Sequence, residues 1–208
     1  MARKKASPED KIVDATLKLA LAQGWRDLSL ADIAAEAKVG LPELAHLFGS
    51  KAEILAAFSR RIDAEVLAAA EAEDIGGESP RDRLFDVLML RFDALGPHKP
   101  ALKRIALDLA GDPVGALSVI RPALQSLGWM LEAAGIDTSG LRGAVRVRGL
   151  ALVWIAAFRV WLNDGEDQSR TMAELDRRLR QAEEWKDAIS RLRRPKADAA
   201  ADEAPPAS

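Results

Sequence analysis

Apolar residues recur at helical spacing along almost the whole chain. From Leu28 to Phe48 they form two short stripes: Leu30, Ile33, Ala34 and Ala37, then Leu41, Leu44 and Phe48. Lys38-Val39-Gly40 separates the two, with Gly40 free to cap or turn. Ser29 with Asp32 three residues on has the form of a capping box, and Pro42 falls in the first turn of the second helix, where its missing N–H costs nothing. Two short helices joined in this way predict a helix-turn-helix, a motif whose second helix enters the major groove in its DNA-binding forms.

The same periodicity predicts the remaining elements. Ser7-Pro8 opens a first helix that turns Ile12, Ala15, Thr16, Leu19 and Ala20 to one face and ends at Gly24. Ser50 and Glu53 start a fourth helix with Ile54, Leu55, Phe58, Ile62 and Val66 inward, stopped by Gly76-Gly77. Ser79-Pro80 starts a fifth, ended by Gly96-Pro97. A sixth runs over about 98–110, a seventh over 114–134 with Pro122 inside it, and an eighth over 141–163. A ninth runs from Ser169 toward Arg194. With no strand predicted, the fold class is all-α with nine helices. It divides into a basic disordered tail at 1–6, a helix-turn-helix domain at 7–50, a helical body at 51–194 and an Ala/Asp/Pro-rich disordered tail at 195–208.

Composition mainly excludes. A chain of 208 residues, 49% hydrophobic, buries a sizeable core. The absence of cysteine rules out disulfides and thiolate metal sites and suits a reducing compartment. Met1-Ala2-Arg3-Lys4-Lys5 lacks the apolar run of a signal peptide, and the apolar run 149–158 is too short to span a bilayer, so a cytoplasmic location is expected. His46 and His98 lie in separate segments, and no Gly-rich phosphate loop is present. No enzymatic activity, cofactor or metal is expected.

The segment LSLADIAAEAKVGLPELAHLFGSKAEIL, preceded by a helix that ends in Gly24, resembles the N-terminal domain of the tetracycline-repressor (TetR) family. The resemblance implies a homodimer whose last two helices form a four-helix interface. Its heads bind a double-stranded DNA operator, and an apolar ligand among helices five to eight shifts the heads to the wrong spacing. It places Ser29, Gly40, Leu41, Pro42, Glu43, His46 and Lys51 at the DNA. It places Phe85, Met89, Phe92, Trp129, Phe158 and Trp161 around the ligand, although aromatics at helical spacing serve equally well as core. The dimer interface implied is Val147, Leu150, Ala151, Trp154, Leu175 and Leu179.

The head departs from that family in its charges. Typical members carry Lys and Thr early in the second helix of the motif and two Tyr flanking the His; here those positions are Leu41, Glu43, Ala45 and Leu47. Over 7–51 there are five bases against seven acids, a poor match to a phosphate backbone unless Arg3, Lys4 and Lys5 assist. A second reading therefore stands beside the first. Val160-Trp161-Leu162-Asn163-Asp164 and the stretch 171–179 are similar to TetR-fold lipid-binding accessory proteins of ubiquinone biosynthesis, which are not repressors. Under that reading the ligand is a lipid or isoprenoid, and the location is a peripheral membrane surface. Trp185, Ile189 and Leu192, flanked by Arg191 and Arg194, would face the membrane.

Overall fold

The computed structural model describes residues 7–72 and 79–192, with the side chains of the last helix described as far as Glu184. Capping chemistry sets the boundaries of the head. Helix α1 (Pro8–Gln23) is preceded by Ser7, whose hydroxyl accepts from the Asp10 N–H while the Asp10 carboxylate accepts from the Ser7 N–H. Ser29 and Asp32 repeat the arrangement at the start of α2 (Leu30–Ala37), at 3.1 and 3.0 Å. Such a box satisfies two of the N–H groups that a helix start leaves without partners. Helix α3 (Leu41–Leu47) follows, with Gly40 as its N-cap. The left-handed residue of the turn is Lys38, at φ 56°, and not Gly40, which is extended.

The body runs on as α4 (Lys51–Ala72), α5 (Pro80–Leu95), one 3-10 turn (Gly96–His98), α6 (Lys99–Ala110), α7 (Pro113–Ala133), α8 (Gly140–Trp161) and α9 (Ser169–Leu192). Among the described residues no strand is present. Helix α7 continues through Pro122. Gly76-Gly77, both predicted tails and the membrane-facing candidates Trp185, Ile189, Arg191, Leu192 and Arg194 lie outside the residues or side chains described. Helix α1 packs on α2, α4 and α6, and α4 on α5 and α7, so α4 belongs to head and body alike. Helices α8 and α9 pack on one another and close over α7 and α5.

Most of the aromatics expected around a ligand pack in the core of the chain. Phe92 and Trp161 are fully buried, Phe92 stacks on Trp154 at 4.6 Å, and Phe158 stacks on both Trp154 and Trp161. Phe85 and Met89 are half-buried against the hydrophobic core. Pairs of this kind add about 0.5–1.5 kcal/mol each beyond the area they bury. Trp129 alone is separate, 57% exposed on α7.

The residues expected at the dimer interface are largely covered by this chain itself. Leu150, Leu175 and Leu179 are buried within this one chain, Trp154 is held between Phe92 and Phe158, and Val147 and Ala151 are half-buried beside them. The solvent side of α8 carries a second apolar stripe: Leu141 (83% exposed), Val145, Leu152 (73%) and Ile155. Helix α8 is apolar on two sides, so its periodicity does not reveal which side its own chain covers.

One ion pair is buried inside the body. Asp63 of α4 accepts from the Arg91 guanidinium of α5 and from the Ser126 hydroxyl of α7, the latter at 2.6 Å, and Arg91 also donates to Ser59 at 3.2 Å. Removing one partner of such a pair strands the other charge in a low-dielectric site. Asp63→Ala is expected to cost about 3–5 kcal/mol of stability in urea unfolding, while Asp63→Leu combined with Arg91→Met recovers most of the loss. A single variant as stable as the double one would show that the pair does not anchor α4.

Candidate functional site

The head presents α3 to solvent through Leu41, Glu43, Ala45, His46 and Leu47, while Leu44 is buried beneath. Ser29 is occupied as the cap of α2, and Gly40 and Pro42 shape the start of α3, so none of the three has a free side-chain donor for a phosphate. The cations nearby are largely committed. Lys18 pairs with Glu36, and Arg61 pairs with Asp14 at 2.8 Å. Lys51, expected on DNA, points inward: its Nζ donates to the Trp25 carbonyl at 2.7 Å and lies over the Trp25 ring at 5.2 Å. Partial burial lowers its pKa, opposed by Asp27, Asp112 and Asp108. The reason is geometric: the first turn of α4 abuts the loop after α1, whose carbonyls need a donor.

That loop is the joint between head and body. Asp108 of α6 accepts from the Trp25 N–H at 2.7 Å and more distantly from the Arg26 N–H, and Arg26 reaches back toward the Asp108 carbonyl. Gly24 stands at φ 95°, and a Cβ there would lie 3.0 Å from the Asp108 carboxylate, so both the backbone angle and the close approach require glycine. The sequence pattern does not show that Trp25 and Asp108 meet, because a loop tryptophan and a helix aspartate carry no spacing that signals it.

A groove with a volume of about 1120 Å³ opens between α4, α7 and α8. Of the predicted ligand residues only Trp129 lines it, and of the predicted interface residues only Val147. Its other walls carry Arg60 and Asp63 of α4, Arg121, Pro122 and Ser126 of α7, and Arg148 of α8. The arginines were missed because they are isolated in the sequence and converge only through helix packing. His98 is elsewhere, edge-on to Phe58 at 5.0 Å. Burial and then Arg61 lower its pKa, so it serves as a neutral aromatic wall at pH 7. Among the described residues no group of three His, Asp or Glu side chains is arranged to hold a metal ion, and no helix is long and apolar enough to cross a membrane.

A three-helix head with a helix-turn-helix is carried on a helical body by a shared α4. Residues 12–58 match the family described as bacterial regulatory proteins, tetR family. The whole fold is similar to a TetR transcriptional regulator from Nitrosomonas europaea ATCC 19718, at 24% identity and a TM-score of 0.65 over 84% of this chain and 97% of that one. It is similar also to a TetR transcriptional regulator from Rhodococcus sp. RHA1, at 18% identity and a TM-score of 0.60 over 84% and 94%. No curated protein matches the sequence. The head thus matches the TetR-family model, and the chain shares the fold of these solved structures.

The joint makes a pH prediction. The Trp25 N–H holds the Asp108 carboxyl below the ordinary aspartate range, opposed by desolvation and aided by the Arg26 N–H, Arg104 and Arg26. A depressed carboxyl stabilises the folded state fully above its unfolded value and loses that contribution as pH falls through the folded one. The Trp25 amide resonance is therefore expected to hold its neutral-pH position down to about pH 4 and to move only below it. A midpoint above that range would show that Asp108 is not bound there in solution.

Proposed function

We propose that this protein is a dimeric TetR-type transcriptional regulator whose heads bind a double-stranded DNA operator and whose affinity for it is set by a small molecule in the helical body. The observation that carries the reading is the double membership of α4. Its first residue ties to the loop of the head through Lys51, and its middle forms one wall of the groove through Arg60 and Asp63. A ligand that moves that wall moves the head, which is a population shift between two head spacings.

Dimerisation supplies the second head. The stripe Leu141, Val145, Leu152 and Ile155 follows the spacing of a helix-packing seam, and Met172 of α9 is exposed as well. The stripe is interrupted by Arg148 between Val145 and Leu152, and its exposed apolar side chains would be covered by a second copy in an isologous contact. Leu152→Glu is expected to give a monomer in sedimentation at micromolar concentration and to abolish operator binding. Specific binding retained by a monomer would overturn the dimeric reading.

The DNA reading is tested most directly by gel shift against the DNA upstream of its own gene at low salt. Glu43 stands on the exposed side of α3, where a carboxylate opposes phosphates. Glu43→Lys is expected to tighten binding to all sequences alike and to steepen the salt slope by roughly one unit. The lipid-binding reading rests on the lost Lys, Thr and Tyr positions of α3 and on side chains outside those described. No shift of any fragment, together with co-sedimentation on anionic vesicles, would replace the regulator reading with that one.

A further inference from the structure

We infer that the groove between α4, α7 and α8 takes an amphipathic organic anion, with a carboxylate or phosphate head held by arginines and an apolar chain laid along Trp129. The inference rests on the proposed regulator reading and adds to it the chemical class of the ligand.

The hydrogen-bond inventory of the walls carries the argument. The lining holds three carboxylates, and each already accepts hydrogen bonds. Asp63 is neutralised by Arg91 and bonded by Ser126. Glu132 accepts from the Thr138 N–H at 2.9 Å and from its hydroxyl. Glu53 accepts from the Gly49 N–H at 2.9 Å. The guanidiniums are in the opposite condition. Arg121 has no hydrogen bond or ion pair among the described residues. Arg148 reaches only the Ala144 carbonyl of its own helix, at 3.1 Å. Arg60 has one loose ion pair, 3.9 Å to Glu9 of α1, which is not among the groove's lining residues. The groove thus offers unused charged donors and few unused acceptors, a surface complementary to an anion with several oxygens.

The apolar half is equally specific. Trp129 exposes more than half of its surface, with Pro122 and Val147 beside it. A ligand that is only charged would leave this surface wet, and one that is only apolar would desolvate three guanidiniums without repaying them. An amphiphile satisfies both. The three arginines come from three helices, so one anionic head draws α7 and α8 toward α4 and acts on the helix that carries the head.

The test uses the full-length protein with decanoate, decyl phosphate and the uncharged decanol, measured by calorimetry and by Trp fluorescence referenced to Trp129→Phe. At least one anion is expected to bind ten times or more tighter than decanol, and which one binds identifies the head group. Arg121→Gln with Arg148→Gln, both exposed positions, is expected to abolish that preference by weakening anion binding and not decanol binding. Decanol binding as tightly as both anions, a preference that survives in the double variant, or no binding by any of the three would overturn the assignment. A gel shift run in parallel separates the two claims. Anion binding that leaves the DNA complex intact would sink the regulator reading while the groove assignment stands. Release by decanol alone would do the reverse.

Discussion

An ion pair almost sealed from water, Asp63 with Arg91, fixes where α4 lies in the body. Each charge loses hydration on burial, and the cost is recovered only with close geometry and further hydrogen bonds. Ser126 and Ser59 provide those bonds, so α4, α5 and α7 meet at one polar point inside an apolar core. An apolar core tolerates sliding of one helix over another more readily than a pair of charges that must meet at one spot. The groove wall, the floor beneath it and the direction in which α4 leaves toward the head all follow from that point.

The head is attached by polar contacts of a different kind. Lys51 and Asp108 both act on the backbone of the same short loop, one on its carbonyls and the other on its N–H groups. These contacts are exposed or half-buried, so they are weaker and more easily exchanged than the Asp63 pair. Under the proposed function, a rigid point in the body and a softer joint at the head would let a small movement of α4 become a reorientation of α3. Sub-ångström shifts are amplified where a packed element has two discrete arrangements.

Much of the fold was legible in the sequence because helices declare themselves locally. Ser7, Ser29 and Ser79 mark starts that the structure realises as side-chain caps, and Gly24 marks an end. What was not legible depends on which face meets which. Helix α8 is apolar on both sides, and only packing shows that Leu150 and Trp154 face inward while Leu152 and Ile155 do not. The aromatic set was recognised as residues but read as pocket, whereas four of its rings and Trp154 fill space against one another or the core. Arg60, Arg121 and Arg148 gave no signal, since charges 27 and 61 residues apart look like ordinary surface until three helices bring them to one groove. Lys51 was read by family position as a phosphate ligand, but the loop carbonyls next to it are an unmet demand within the chain itself.

The weak electrostatics of the head and the exposed stripe on α8 explain one another under the proposed function. With Lys18, Arg61 and Lys51 committed to internal partners, each head carries few free cations, and phosphate neutralisation supplies most of the affinity for DNA. A single head of this kind would bind an operator feebly. Joining two heads through α8 makes the second contact intramolecular, so the effective concentration at the second half-site, and not the charge of either head, dominates the binding. The same arrangement sharpens control. When each head contributes little, binding depends steeply on both being spaced correctly at once, and a ligand needs to disturb only that spacing. A more cationic head would hold DNA whatever its spacing and would be harder to release. On the proposed function, the acidic Glu43 on α3 would weaken the complex and, in a dimer, make it responsive.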